Sequence, residues 1–188
     1  MASVAGLIIA KGSSKRLPQK NRLDLNGKPM FMWNVQKLLR IVPRVYVSSD
    51  DHWILDEAEW AGAIPIKRPS ELCGDTPNIP VYQHALQFMN GVSGIIAVQA
   101  NSPTIDSKLI ETARELLDRG YNEIMTMHED RSIYGSIWAL SRKKLENYKD
   151  FYNPKPEVLL LDPSTDVHTK KDFDEVQKIC QKYSSSPR

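Results

Sequence analysis

Val4 to Ala10 reads VAGLIIA and runs straight into Lys11 to Asn21, KGSSKRLPQKN; the fold is decided at that junction. Seven small or apolar residues without polar alternation describe a strand covered on both faces, as in a parallel sheet. The adjoining segment is the opposite in character: polar, cationic and punctuated by Gly12 and Pro18. A buried strand that opens into such a loop is the start of an α/β unit, and in such sheets ligands bind beyond the carboxyl ends of the strands.

Working outward, short apolar runs alternate with longer amphipathic ones. Strands are predicted at Arg44–Ser49, Ala63–Ile66, Gly94–Val98, Ile124–Met127, Ser136–Leu140 and Glu157–Leu161. Helices are predicted at Pro29–Arg40, Asp51–Trp60, Asn78–Met89, Asp106–Arg119, Ser141–Tyr148 and Thr169–Tyr183. Their ends carry stop and start signals: Gly62 and Gly120 follow helices, and Asp106 or Ser107 can cap one. This alternation predicts an α/β fold, a three-layer sandwich on a mostly parallel, Rossmann-like sheet with right-handed crossovers. No repeat or linker divides the chain, so one domain is expected over 1–183, with a flexible polar tail at 184–188.

Composition narrows the function. The formal net charge of +2 is too small to imply a nucleic-acid or membrane surface by itself. Cys73 and Cys180 form no CxxC pair, which argues against a zinc or redox motif; a disulfide between them stays open. Val4 to Ala10 has no basic region before it and is too short for a signal core, so a cytoplasmic protein is expected. His52, His84 and His128 have no assigned role, and Trp33, Trp53, Trp60 and Trp138 stay open between core and interface, with core the default for those in apolar runs.

The loop suits a polyphosphate. Gly12 permits close approach of the backbone to an anion. Ser13 and Ser14 offer hydroxyls, successive N–H groups can form an anion-binding concavity, and Lys11, Lys15, Arg16 and Lys20 carry positive charge. The spacing is neither that of a Walker loop nor GxGxxG. A solvated basic loop explains the same composition; the position after a buried first strand favours phosphate.

AKGSSKRLPQKN, at Ala10 to Asn21, resembles the A-R-x-x-S-K-x-[IL]-P-x-K-N signature of the cytidylyltransferases that activate sugar acids: CMP-acylneuraminate synthetases, CMP-KDO synthetases and their spore-coat polysaccharide relatives. Gly27 to Met30 is similar to the G-K-P-M of the latter two. VYVSSDD at Val45 to Asp51, KRPSELCGDT at Lys67 to Thr76, VQANSP at Val98 to Pro103 and DVHTKKDF at Asp166 to Phe173 resemble further family stretches, in order along the chain. The resemblance implies a fold of the nucleotide-diphospho-sugar transferase type. It also implies a reaction that joins CTP to a sugar acid with release of pyrophosphate.

Residue by residue, the resemblance implies a nucleotide site at Ala10, Lys11, Gly12, Ser13, Ser14, Lys15, Asn21, Arg68 and Asp75. Gln99, Asn101 and Ser102 would meet the sugar, and Lys11, Lys20, Gln99 and Asp166 would serve catalysis. Asp166 and His168 would hold Mg2+, or Mn2+. CTP and a sugar acid are the implied partners; nucleic acid and membrane are not.

Several positions depart from the family pattern. Lys11 stands for an arginine and forfeits its bidentate geometry. His168 stands for the second metal aspartate, although neutral imidazole is a poor magnesium ligand; a general base, with an unperturbed pKa near ~6.5, or a surface histidine are its other readings. Asn101 replaces a metal-linked aspartate of the KDO branch. Asp166 could instead cap the last helix, as could Thr165 or Thr169. Tyr134 replaces an asparagine before Gly135. Only Glu129 to Ile133 remain of the arm through which the family dimerises, so a homodimer stays open but the usual arm for it is missing. Two alternatives stay open: a nucleotidyltransferase with another base or sugar, and a nucleotide- or sugar-binding homologue without catalysis.

Overall fold

The structure is a computed structural model that describes residues 3–184; residues 185–188 of the expected tail lie outside the described residues. Strand β1 (Ser3–Ile9) forms where the apolar run predicts it, with Val4, Ala5, Leu7 and Ile8 buried. It is followed by α1 (Met32–Ile41), β2 (Val45–Ser49), α2 (His52–Trp60), β3 (Ile64–Lys67) and α3 (Asn78–Leu86). The chain continues through β4 (Val92–Gln99), α4 (Ser107–Asp118), β5 (Glu123–Met127), β6 (Ile133–Ser141), α5 (Arg142–Glu146), β7 (Val158–Leu161) and α6 (Lys170–Ser184).

The seven strands form one sheet in the order β3-β2-β1-β4-β6-β5-β7. All neighbours are parallel except β6, which is antiparallel to both β4 and β5. The antiparallel step follows from the short connection after Met127. His128 and Ser132 share a backbone bond of 3.0 Å across a turn, and a turn that tight can only reverse the chain.

Two apolar layers sandwich the sheet. Met32, Val35 and Leu38 of α1, Ile54 and Ala58 of α2, and Ile110 and Ala113 of α4 pack on one face. Ile79, Tyr82 and Ala85 of α3 with Leu145 of α5 pack on the other. A third cluster seats Phe173, Val176 and Cys180 of α6 on Leu17, Leu25 and Met30 of the first long loop. That loop is itself folded. Asn26 and Gly27 take positive φ (55° and 87°) in a tight turn closed by the Leu25 N–H donating to the Lys28 carbonyl at 2.8 Å. The helix expected over Asn78–Met89 stops at Leu86, and the one expected over Ser141–Tyr148 shrinks to Arg142–Glu146 because β6 extends to Ser141, whose hydroxyl then caps it. Trp138 is buried, but Trp60 is 94% exposed and is not part of the core. No disulfide joins Cys73 and Cys180. Among the described residues no helix is long and apolar enough to cross a membrane.

This topology places the site. From β1 the chain steps outward to β2 and β3, then returns to β4 on the other side of β1. Connections leaving the carboxyl ends of β1 and β4 therefore diverge, and a crevice opens between them. Register pairs Ile9 with Gln99, so Lys11–Asn21 and Gln99–Ile105 emerge side by side.

Candidate active site

A cleft of about 420 Å³ lies at that switch point. From the β1 loop it receives Lys11, Ser14, Lys15, Arg16, Lys20 and Asn21. Arg68 and Asp75 come from the segment after β3, Gln99 and Asn101 from the end of β4, and Asp166 and His168 from the approach to α6. Residues as far apart in sequence as 11 and 168 thus line one cavity.

Four expected site residues do not line it. Ala10 is fully buried and donates its N–H to the Ser48 carbonyl at 3.0 Å. The Gly12 N–H donates to an Asp50 carboxylate oxygen at 2.9 Å. A Cβ at Gly12 would stand 2.7 Å from Asp51 Cβ, so packing against the start of α2 requires glycine here. Ser13 is exposed away from the cleft. Ser102 is buried behind it, with Oγ 3.4 Å from the Tyr134 hydroxyl. The cleft lining thus takes eleven of the fifteen expected site residues and leaves Ala10, Gly12, Ser13 and Ser102 outside it.

The cationic wall is graded by burial. Lys15 and Asp75 pair at 2.9 Å across the mouth; both side chains are more than three-quarters exposed, so the pair contributes little and an incoming anion can displace it. The Lys15 bond holds the Asp75 carboxyl below the usual carboxylate range. Lys11 Nζ lies 3.4 Å from the Gly74 carbonyl on the same rim. Deeper, Lys20 donates to the Val167 carbonyl at 2.9 Å, and burial pushes its pKa down against the pull of Asp166. Arg68 is 7% exposed and holds β2 through Ser48, donating to its carbonyl at 2.7 Å and its hydroxyl at 3.3 Å. The buried Asn21 donates to the Lys11 carbonyl at 2.9 Å, while its Oδ1 has no partner.

The Gln99–Ile105 loop is held from behind by α1. The fully buried Asn34 amide donates to the carbonyls of Gln99 (2.8 Å) and Ser102 (2.9 Å). Lys37, one turn on, donates to those of Pro103 (2.6 Å) and Ile105 (2.8 Å). Neither residue stood out in the sequence, where both read as polar positions of an amphipathic helix.

Asp166 is the chemical centre of the other wall. Its oxygens accept from Asn101 Nδ2 and pair with His168 Nε2, and the Tyr134 hydroxyl bonds to it as well. Arg16 Nη2 meets His168 Nδ1 at 2.7 Å. A guanidinium only donates, so Nδ1 accepts, and the proton sits on Nε2 toward Asp166. Burial lowers the His168 pKa, offset by Asp166 and reinforced by Lys20 and Arg16. Asp166 does not cap α6. Asp172 accepts from the His168 and Thr169 N–H groups at 2.9 and 2.7 Å, and Thr169 Oγ1 accepts from Asp172 N at 3.3 Å. Tyr134 is a cleft residue that stood out in the sequence only as a departure from a pattern. Burial raises its pKa, and its ring stacks on His128 with centroids 4.5 Å apart.

Among the described residues no group of three or more His, Cys, Asp or Glu side chains could hold a metal ion. The donor set is one carboxylate and one imidazole, with the carboxylate already bonded to neighbours. It fits a divalent cation only where phosphate oxygens and water complete the shell, and the imidazole suits metals softer than magnesium.

A family model for cytidylyltransferases matches residues 5–179. The pseudaminic acid cytidylyltransferase of Campylobacter jejuni subsp. jejuni serotype O:2 is 31% identical over 117 residues, 58% of this chain and 50% of that one. The chain spans about half the length of the curated relatives it matches first. A solved CMP:2-keto-3-deoxy-manno-octonic acid synthetase complexed with CTP superposes with a TM-score of 0.79 over 96% of this chain and 99% of its own, at 17% identity. Rv0371c of Mycobacterium tuberculosis H37Rv, solved in complex with manganese, does so at 0.65 over 94% and 98%, at 13% identity. At these identities the likeness is one of fold.

Proposed function

The chain belongs to the cytidylyltransferase family, and on that premise we propose that it transfers CMP from CTP to a sugar acid of the acylneuraminate or KDO kind, releasing pyrophosphate. The observation that carries this is the convergence of Lys11, Ser14, Lys15, Lys20 and Arg68 in one cleft with Gln99 and Asn101. That arrangement suits a polyphosphate on one side and a polyhydroxylated acid on the other.

In this proposal the anomeric hydroxyl of the sugar attacks the α-phosphorus in line. The bond to the β-phosphate oxygen breaks, pyrophosphate leaves, and the hydroxyl gives up its proton. Lys11, Lys15 and Ser14 hold the β- and γ-phosphates near the rim. Lys20 lies deeper and meets charge developing at the α-phosphate, where a partly desolvated cation acts most strongly. Arg68 and Asp75 border the nucleoside, Asn21 offers its unpartnered oxygen to a donor on the ligand, and Gln99 with Asn101 orients the sugar. Asp166, with His168 beside it, would hold a magnesium or manganese ion. Such an ion supplies charge neutralisation on the phosphates.

The test is pyrophosphate release from each of the four triphosphates with eight- and nine-carbon sugar acids and either metal. Release with CTP and a sugar acid supports the proposal; release only with another triphosphate moves it to a different base. The internal bonds around Asp166 favour one second reading, a homologue that binds without turnover. Saturable CTP binding with no release under any condition would establish that reading instead.

A further inference from the structure

Behind the Gln99–Ile105 loop lies a second cavity, of about 340 Å³, that shares no lining residue with the cleft. Its walls are Lys28, Trp33, Lys37 and Arg40 on one side and Thr104 with the start of α4 on the other. We propose that this cavity is a second anion site, which takes a small molecule bearing a phosphoryl group.

Three cations converge there, and none of them pairs with a carboxylate among the ion pairs of the described residues. Lys28 stands 3.9 Å over the Trp33 ring and 2.6 Å from the Gln36 amide oxygen. Lys37 holds only uncharged oxygens, and Arg40 is exposed at the rim. Asp106 is the one carboxylate on the wall, and its Oδ1 accepts from the Lys108 N–H at the start of α4. Thr104 Oγ1 is buried on the same wall without a partner. Burial depresses the Lys28 pKa and Arg40 depresses it further, against the pull of Cys180 on the same wall; burial likewise depresses Lys37, with Lys28 adding to the fall and Cys180, Asp106 and Asp162 opposing it. Like charges gathered at a cavity destabilise the fold unless a counter-charge joins them. A phosphoryl group answers this charge: its oxygens accept from the Lys28 ammonium and the Arg40 guanidinium, while Lys37, whose three donors are already taken by Asn34, Pro103 and Ile105, contributes its charge alone.

The site is coupled to the cleft by construction. The Lys37 ammonium that faces the cavity also grips Pro103 and Ile105 in the loop that carries Gln99 and Asn101. An anion that draws on this ammonium acts on the placement of those two side chains.

The test tracks the Trp33 indole N–H by nuclear magnetic resonance while inorganic phosphate, pyrophosphate or CMP is added, with sodium chloride of equal ionic strength as control. A saturable shift is expected, weakened at least tenfold in Lys28→Gln/Arg40→Gln and unchanged in Lys15→Ala at the cleft. Both substituted residues have solvent-accessible side chains, and a dispersed spectrum verifies the fold. Saturation by phosphate identifies the free ion as ligand; saturation by CMP alone identifies a phosphate ester. A shift equal to that with chloride, or one that survives the double substitution, overturns the proposal.

Discussion

Gly12 carries a packing role that its neighbours in sequence do not announce. In a loop of serines and lysines a glycine reads as a phosphate contact, yet its N–H belongs to Asp50 and its missing side chain to Asp51. Gly12→Ala must push the loop away from α2. A loss of about 1–3 kcal/mol is expected for forced overpacking, read by denaturant unfolding, along with weaker CTP affinity; unchanged stability would refute the packing argument. Lys37 permits a prediction with a sign. Burial pushes its pKa down to about 8, from the 10.5 usual for a lysine. Below pH 8 the folded state carries the proton at a cost, and as pH rises the folded protein sheds it before the unfolded chain does. Wild type should therefore gain on Lys37→Met by about 1 kcal/mol between pH 7 and 9. The comparison cancels groups remote from residue 37, and Cys180, which is coupled to Lys37, is changed to Ala in both proteins. A difference independent of pH would mean that Lys37 stays charged throughout.

At the scale of elements, two helix ends determine where the site residues stand. Helix α1 holds the Gln99–Ile105 loop through Asn34, whose amide serves two carbonyls at zero exposure. Asn34→Leu strands both, with an expected loss of about 2–4 kcal/mol. If the proposed function holds, kcat/KM for the sugar acid falls more than CTP affinity, because Gln99 and Asn101 move while Lys11–Asn21 stays; steady-state kinetics against each substrate separates the two. Helix α6 starts at a box formed by Thr169 and Asp172. Asp172→Ala should cost about 1 kcal/mol, a fall of roughly 2–4 °C in Tm for a chain of this size. A scanning calorimeter that finds no change would show that the box contributes nothing to folding. The α6 box has a local sequence signal, Thr-x-x-Asp at Thr169 to Asp172; the α1 device has none, because Asn34 and Ser102 are 68 positions apart and only packing brings them together.

For the whole molecule, the cleft joins the end of β1, the end of β4, the segment after β3, Tyr134 of β6 and the approach to α6. A ligand that bridges them binds the folded chain and not the unfolded one. CTP at about a hundred times its Kd should therefore add roughly 2.7 kcal/mol, seen as a rise of several degrees in Tm with a divalent cation present. A flat melting temperature would count against nucleotide binding in this cleft. Much of this scale was legible in the residues alone. The uninterrupted run at Val4–Ala10 marked β1, and the alternation of elements marked the layers. The antiparallel β6 was not legible, because a strand's direction depends on the connection before it, here the turn at His128–Ser132.

By itself the sequence determined the kind of sheet, the family and most residues of the cleft, because hydrophobic periodicity and short motifs are local and survive being read one segment at a time. Tertiary structure alone decided which motif residues line the cleft. Gly12 and Ser102 turned to packing, Tyr134 turned to the cleft, and the cap of α6 fell to Thr169 with Asp172 rather than to Asp166. The reason is physical: an N–H or a carboxylate makes a limited number of hydrogen bonds, and which partner takes them is settled by neighbours tens of residues away.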